Sequence, residues 1–162
     1  MRKMKKRHFL FNLAIIIFPW LSVLLLGKRS FKRFWFSGLF IVVFEIINHL
    51  YGHRRNWWKF YDGYKSFFKD EFPFSIGPYM PLSMWILKFS YGNFRRFVLL
   101  NAVADGLFAF VLINVLKKLK IIGLNGLTHL QFFVYLNYKA YLLYGVQYLY
   151  EKMTGHSSQS YQ

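Results

Sequence analysis

The 162-residue chain contains no cysteine. That excludes a disulfide framework, a thiolate metal site and a cysteine nucleophile. Proline is scarce, and three of the 4 residues (Pro73, Pro78, Pro81) crowd a single stretch. Acids are few: 6 Asp+Glu stand against 22 Lys+Arg, giving a net charge of +16. Such basicity would suit nucleic acid if the bases formed a patch, but they do not. Only Glu45, Asp105 and Lys139 fall inside the long apolar runs, and the other charges lie between the runs and at their ends.

Apolar residues make up 56% of the chain and aromatics 23%. Disorder requires the opposite composition, and a chain this short cannot hide so much apolar surface in one soluble globule. The expected fold is therefore all-α: an integral membrane helical bundle of four or five transmembrane helices. The expected partners are anionic lipid headgroups and another membrane protein or a second copy of the chain, with no nucleic acid. Abundant Phe, Ile, Lys, Tyr and Asn beside five Ala point to an AT-rich genome, and hence to a bacterial cytoplasmic membrane.

The spans are expected at about 9–26, 34–51, 78–91, 97–116 and 127–150. They form a single domain over 9–151, between a basic N-terminus (1–8) and a polar tail (152–162), disordered from 154. The opening resembles a signal peptide, yet its apolar core is long and lacks a small-residue cleavage site. It reads as an uncleaved first span. In the third run the prolines favour a short, broken or re-entrant helix, since proline suits a first turn and damages an interior. With the N-terminus in the cytoplasm, 13 basic residues fall on the cytoplasmic side and 8 on the other, as the positive-inside rule favours. The four bases at 28–33 run against that rule, and they keep a four-span alternative open.

The connection at about 55–71 reads as one interfacial amphipathic helix. Trp57, Phe60, Tyr61, Tyr64, Phe67 and Phe68 follow the spacing of one helical face. Lys59, Asp62, Lys65 and Lys69 occupy the other, a pattern that places a helix in the headgroup layer. With His53, Arg54 and Arg55, the lysines Lys59, Lys65 and Lys69 form a candidate headgroup contact.

A charge at mid-bilayer costs at least about 2.5–3.5 kcal/mol and normally faces inward with a partner. Glu45, Asn48 and His49 share one face of the second span. Asn101 and Asp105 lie four apart in the fourth, and Lys139 is near the middle of the fifth. The charged three fall within roughly 8 Å of one another in depth. Lys139 is therefore expected to pair with Glu45, Asp105 or both, with Asn48, His49 and Asn101 completing the hydrogen bonding.

Such a cluster is expected to serve a small accessory or scaffold protein that packs helices or binds a partner membrane protein, the alternatives being an ion or proton pathway, a membrane enzyme, or a site for lipid or a peptide signal. Enzyme signatures are missing: no HExxH, GxSxG or P-loop occurs, so no catalytic residue and no cofactor are assigned. Glu45, His49 and His53 have ligand-like spacing, but Arg54 and Arg55 oppose a cation there, and no metal site is assigned.

The stretch Trp57-Trp58-Lys59-Phe60-Tyr61, with Phe72-Pro73-Phe74 and Gly77-Pro78-Tyr79 after it, resembles small multi-pass membrane proteins of unknown function in spore-forming Gram-positive bacteria. The resemblance spans about 34–150. It implies location and topology and carries over no site residues.

Overall fold

The structure is a computed structural model, and it describes residues 6–61 and 67–155, the side chain of Arg7 excepted. The elements in chain order are α1 (Lys6–Leu26), α2 (Lys28–Arg54), β1 (Trp58–Phe60), α3 (Phe67–Asp70), α4 (Phe72–Ile76), α5 (Tyr79–Ser90) and α6 (Phe94–Gly106). A π-helical stretch (Leu107–Leu112), α7 (Ile113–Lys118), β2 (Ile122–Leu124) and α8 (His129–Thr154) follow. Three stretches, His8–Leu26, Lys28–Arg54 and Phe94–Lys118, are helices long and apolar enough to cross a membrane.

The boundaries have local causes. Gly27, at φ 86, breaks the chain between α1 and α2 in a backbone region that glycine enters without penalty. Asn93 caps α6 by accepting from the Arg96 amide at 3.0 Å. At α8, Thr128 and Gln131 form a reciprocal capping box. Pro73 sits in the first turn of α4 and Pro78 precedes α5, so the third apolar run is two helices broken at Gly77-Pro78.

Cross-helix contacts fix the direction of each element. At the end that carries β1 and β2 (the β end), the rings of His8 and Phe60 are 6.2 Å apart and those of Trp57 and Tyr135 5.5 Å apart. His129 meets Asn114 there at 3.0 Å. At the opposite, Gly27 end, the Lys88 ammonium donates to the Leu26 carbonyl at 3.0 Å. Arg33 reaches Glu151 there, and Phe94 packs on Tyr144. The chain therefore crosses the bundle five times in alternating directions: α1, α2, α4–α5, α6–α7 and α8.

The single interfacial helix expected over 55–71 is not formed. Asn56 adopts φ 53, with the Asn56 amide bonded to the His53 carbonyl and the Trp57 amide to that of Gly52. This is a Schellman termination, which ends α2 and turns the chain outward. Lys120 (φ 53) repeats the motif at the end of α7 through the Leu116 and Lys117 carbonyls. The two exits lead into antiparallel strands, Trp58 opposite Leu124 and Phe60 opposite Ile122. Trp-Lys-Phe satisfies a period of two as readily as a helical one, and the pairing strand decides between them. Residues 62–66, which include Lys65, lie outside the described residues, as do 1–5 and 156–162. The tail expected from 152 instead stays helical to Thr154, and Gly155 closes α8 at φ 70.

The largest buried cluster joins Leu26, Phe34, Ile41, Met84, Phe97 and Leu143 near the Gly27 end. Outer faces are apolar as well: Phe18 is 70% exposed and Leu24 78%. Gly77 permits a close approach to α1, because a Cβ there would lie 2.5 Å from the Ile15 carbonyl oxygen. Gly77→Ala should therefore destabilise the fold by about 1–3 kcal/mol. Gly145→Ala, with nothing within 4 Å of the new Cβ, should be neutral or stabilising. Unfolding of both variants in detergent micelles checks this.

Candidate functional site

The inner face of α2 carries a row of side chains four residues apart: Arg33, Ser37, Ile41, Glu45 and His49. On α8 a second such row, read backwards, is Glu151, Gln147, Leu143 and Lys139. Because the two helices are antiparallel, each step along one row meets a step back along the other. Arg33 Nε and Nη2 grip both Glu151 oxygens at 2.5 and 3.1 Å. Ser37 donates to Gln147 Oε1 at 2.7 Å. Ile41 and Leu143 share the apolar cluster, and Glu45 pairs with Lys139.

The Glu45–Lys139 pair is the centre of the site. Glu45 is 0% exposed and Lys139 4%. The Lys139 ammonium stands 4.9 Å over the Tyr79 ring and 4.2 Å over the Tyr135 ring, a cation–π setting strengthened by desolvation. The two rings thus flank the ammonium where it meets the Glu45 carboxylate. On the other side His49 Nε2 lies 3.3 Å from Glu45 Oε2, and its Nδ1 is 2.5 Å from Ser75 Oγ. Three crossings (α2, α4–α5 and α8) thus converge on one carboxylate.

No known protein family, curated protein or solved structure matches this chain.

Not every expected member joins the cluster. Asp105 is half-buried and meets Asn137 Nδ2 at 3.5 Å, and no ion pair joins it to Lys139 among the described residues. Two residues on a helix lie about 200° apart, so α8 turns Asn137 toward Asp105 and Lys139 toward Glu45. Asn101 is buried but donates to the Phe97 carbonyl of its own helix at 2.8 Å. Asn48 donates to the Phe44 carbonyl at 2.9 Å and accepts from the Tyr138 hydroxyl at 3.4 Å. Each of these amides completes a nearby bond rather than the central one.

The headgroup set divides in the same way. Arg54, Arg55, Lys59 and Lys69 are exposed at the β end. His53 instead turns inward to pair with Glu71. Lys117, Lys118 and Lys120, all exposed, extend the basic rim and were absent from the expected patch. Among the described residues, no three His, Cys, Asp or Glu side chains are grouped to hold a metal ion.

Two further polar clusters escaped the sequence. The Arg33–Glu151 pair, with Gln147 bridging to it at 2.9 Å, lies beyond the apolar runs and looked like loop charge. The matching four-residue rows on α2 and α8 were the signal that could have revealed it. At the β end Asp70 and Glu71 are 1% and 4% exposed. Every acid among the described residues is thus buried or half-buried, and the charge left facing outward is almost wholly positive.

Removing one partner of a buried pair strands the other at a cost of roughly 3–5 kcal/mol, whereas removing both can be nearly neutral. Glu45→Leu and Lys139→Met should each lower stability by that amount, and the double variant should recover most of it, measured by unfolding in bilayer nanodiscs. Burial raises the Glu71 carboxyl above its ordinary range, against the opposing His53 contact. The folded state then holds the proton more tightly than the unfolded one, so stability falls as pH rises through the mildly acidic range. Glu71→Gln should flatten that decline in pH-dependent melting.

Proposed function

We propose that this chain is a five-pass protein of a bacterial cytoplasmic membrane, a small accessory or scaffold subunit that holds a partner membrane protein or a second copy. The observation that carries this reading is the α2–α8 ladder, in which the interior charges are consumed in pairing the protein's own helices. What remains for an outside partner is an apolar belt with basic rims at its two ends. A rim of this kind attracts anionic headgroups, each base near the surface contributing about 1 kcal/mol.

The five alternating crossings support five passes. α8 is 26 residues long, enough for about 39 Å at 1.5 Å per residue. The α4–α5 crossing is broken and buried among neighbours, the setting in which irregular backbone is tolerated at membrane depth. In the sequence, the stretches before the first span, between the second and third and after the fourth together hold 13 of the 22 bases, which by the positive-inside rule favours a cytoplasmic β end.

A second reading, an ion or proton pathway through Glu45, Lys139 and Asp105, is favoured by the Glu45–His49 contact at 3.3 Å. Against it stands the apolar layer of Ile41, Met84, Phe97 and Leu143, which separates Glu45 from the polar groups of the Gly27 end. Purified protein in liposomes should therefore carry no sustained proton flux under an imposed potential beyond that of empty vesicles. Sustained flux abolished by Glu45→Gln would replace the scaffold reading with the pathway. Orientation is checked by thiol labelling in intact cells: Asn56→Cys and Lys120→Cys should react only from the cytoplasm, Ser30→Cys only from outside. Labelling of positions 30 and 120 from the same side would contradict five passes.

A further inference from the structure

The apolar belt has a polar interruption on the seam between α6 and α8. Asp105 lies there half-buried, and among the described residues its one hydrogen bond is the 3.5 Å contact from Asn137 Nδ2. Glu45, Glu71 and Glu151 each meet a lysine, histidine or arginine of the chain. Asp105 meets none among the described residues. It stands about 17 Å along the helix from Phe94 and about 20 Å from Lys118, at 1.5 Å per residue, and so near mid-depth of its crossing. A charged side chain at that level normally has a partner. The chain does not supply a cation for it: Lys139 is 4% exposed and held by Glu45.

Given the scaffold reading, on which this rests, we propose that the seam docks a transmembrane helix of a partner protein through a lysine or arginine near that helix's middle. The ammonium or guanidinium pairs with the Asp105 carboxylate. Asn137 turns its Nδ2 to Asp105, which leaves its amide oxygen as a further acceptor beside the pair. The surroundings admit such a helix. Ala102 and Gly106 flank Asp105 and are half-buried, and small residues let a second helix approach closely. Val103 and Leu107 on α6 and Val134 on α8 face outward. Toward the two ends the seam is closed by rings, Phe94 against Tyr141 at 6.3 Å and Phe110 against Phe133 at 5.8 Å. The polar opening is thus confined to one level. Directly after Gly106 the helix widens into the π-helical stretch Leu107–Leu112, a feature frequent at functional sites.

Depth and charge decide among the occupants. A lipid headgroup amine stays at the membrane surface, well short of a carboxyl at mid-depth. A metal ion takes more ligands than one carboxylate and one amide provide, and no three His, Cys, Asp or Glu side chains are grouped to hold one among the described residues. A second copy would bring only its own Asp105 and Asn137, because its Lys139 is held internally. Two carboxylates would then face each other in a medium of low dielectric constant, where like charges repel strongly. A helix from another protein supplies the missing cation.

The test places the full chain in lipid nanodiscs with a donor fluorophore on Ser30→Cys. The probe is a synthetic transmembrane peptide of about 20 leucines and alanines with one central lysine and an acceptor fluorophore. Energy transfer should show this peptide associating at least about tenfold more tightly than its central-leucine counterpart. The preference should vanish in Asp105→Asn and persist in Asp105→Glu. Should Asp105→Asn not fold, Ala102→Leu, which fills the seam and keeps every charge, carries the same expected loss. Equal binding of the two peptides, or an undiminished preference in the folded Asp105→Asn or Ala102→Leu protein, overturns the proposal. So does energy transfer between two differently labelled copies that Asp105→Asn abolishes, since the seam then takes a second copy. These failures are distinct from that of the scaffold reading, which shows as sustained proton flux in liposomes.

Discussion

A lysine and a glutamate that meet far from water govern the arrangement of this bundle. Their attraction is strong in a medium of low dielectric constant, but so is the cost of bringing each there. The balance is favourable only when the geometry is complete. Lys139 must reach Glu45 on one side and two aromatic faces on the others, and Glu45 must also meet His49. Sliding α8 by one turn against α2 would set the ammonium beside Ile41 or His49 and leave a bare carboxylate. At the far end the signs reverse, with the cation on α2 and the acid on α8. Opposite polarity at the two ends of one ladder specifies register and direction together.

The remaining contacts are built around that ladder. Ser75 binds His49 and so ties α4 to α2, while Tyr79 brings the first turn of α5 over the ammonium. Gly38 lets Met80 and Met84 approach α2, since a Cβ there would already lie 3.1 Å from Met80 Cγ. The two Schellman terminations at Asn56 and Lys120 then close the β end with a short sheet. The consequence is an inverted charge distribution, with acids inside and bases outside. The surfaces left facing outward are apolar and cationic, which supports the proposed scaffold role over a conduit.

Much of the helical organisation was legible because long apolar runs and their charged flanks have a single economical solution in lipid. The inward turn of Glu45 and Lys139 was legible for the same reason. The partner choice was not: whether Lys139 faces Glu45 or Asp105 depends on the rotation of α8, and both acids lie within reach in depth. The strand at Trp58–Phe60 was hidden because its pairing residues, Ile122–Leu124, lie more than sixty positions away. Arg33 and Glu151 were misread as loop charges because α2 and α8 extend past their apolar windows. Position outside an apolar run does not imply exposure when a neighbouring helix supplies the counter-charge.

The most direct measurement of the central contact is a solid-state NMR distance in lipid bilayers. Lysine is labelled with ¹⁵N at Nζ and glutamate with ¹³C at Cδ, and Glu45→Gln assigns the signal. A directly bonded Lys139–Glu45 pair predicts strong ¹⁵N–¹³C dephasing, within about 4 Å, from a lysine signal shielded from water. A Lys139 signal that exchanges freely with water and shows no dephasing would contradict the account.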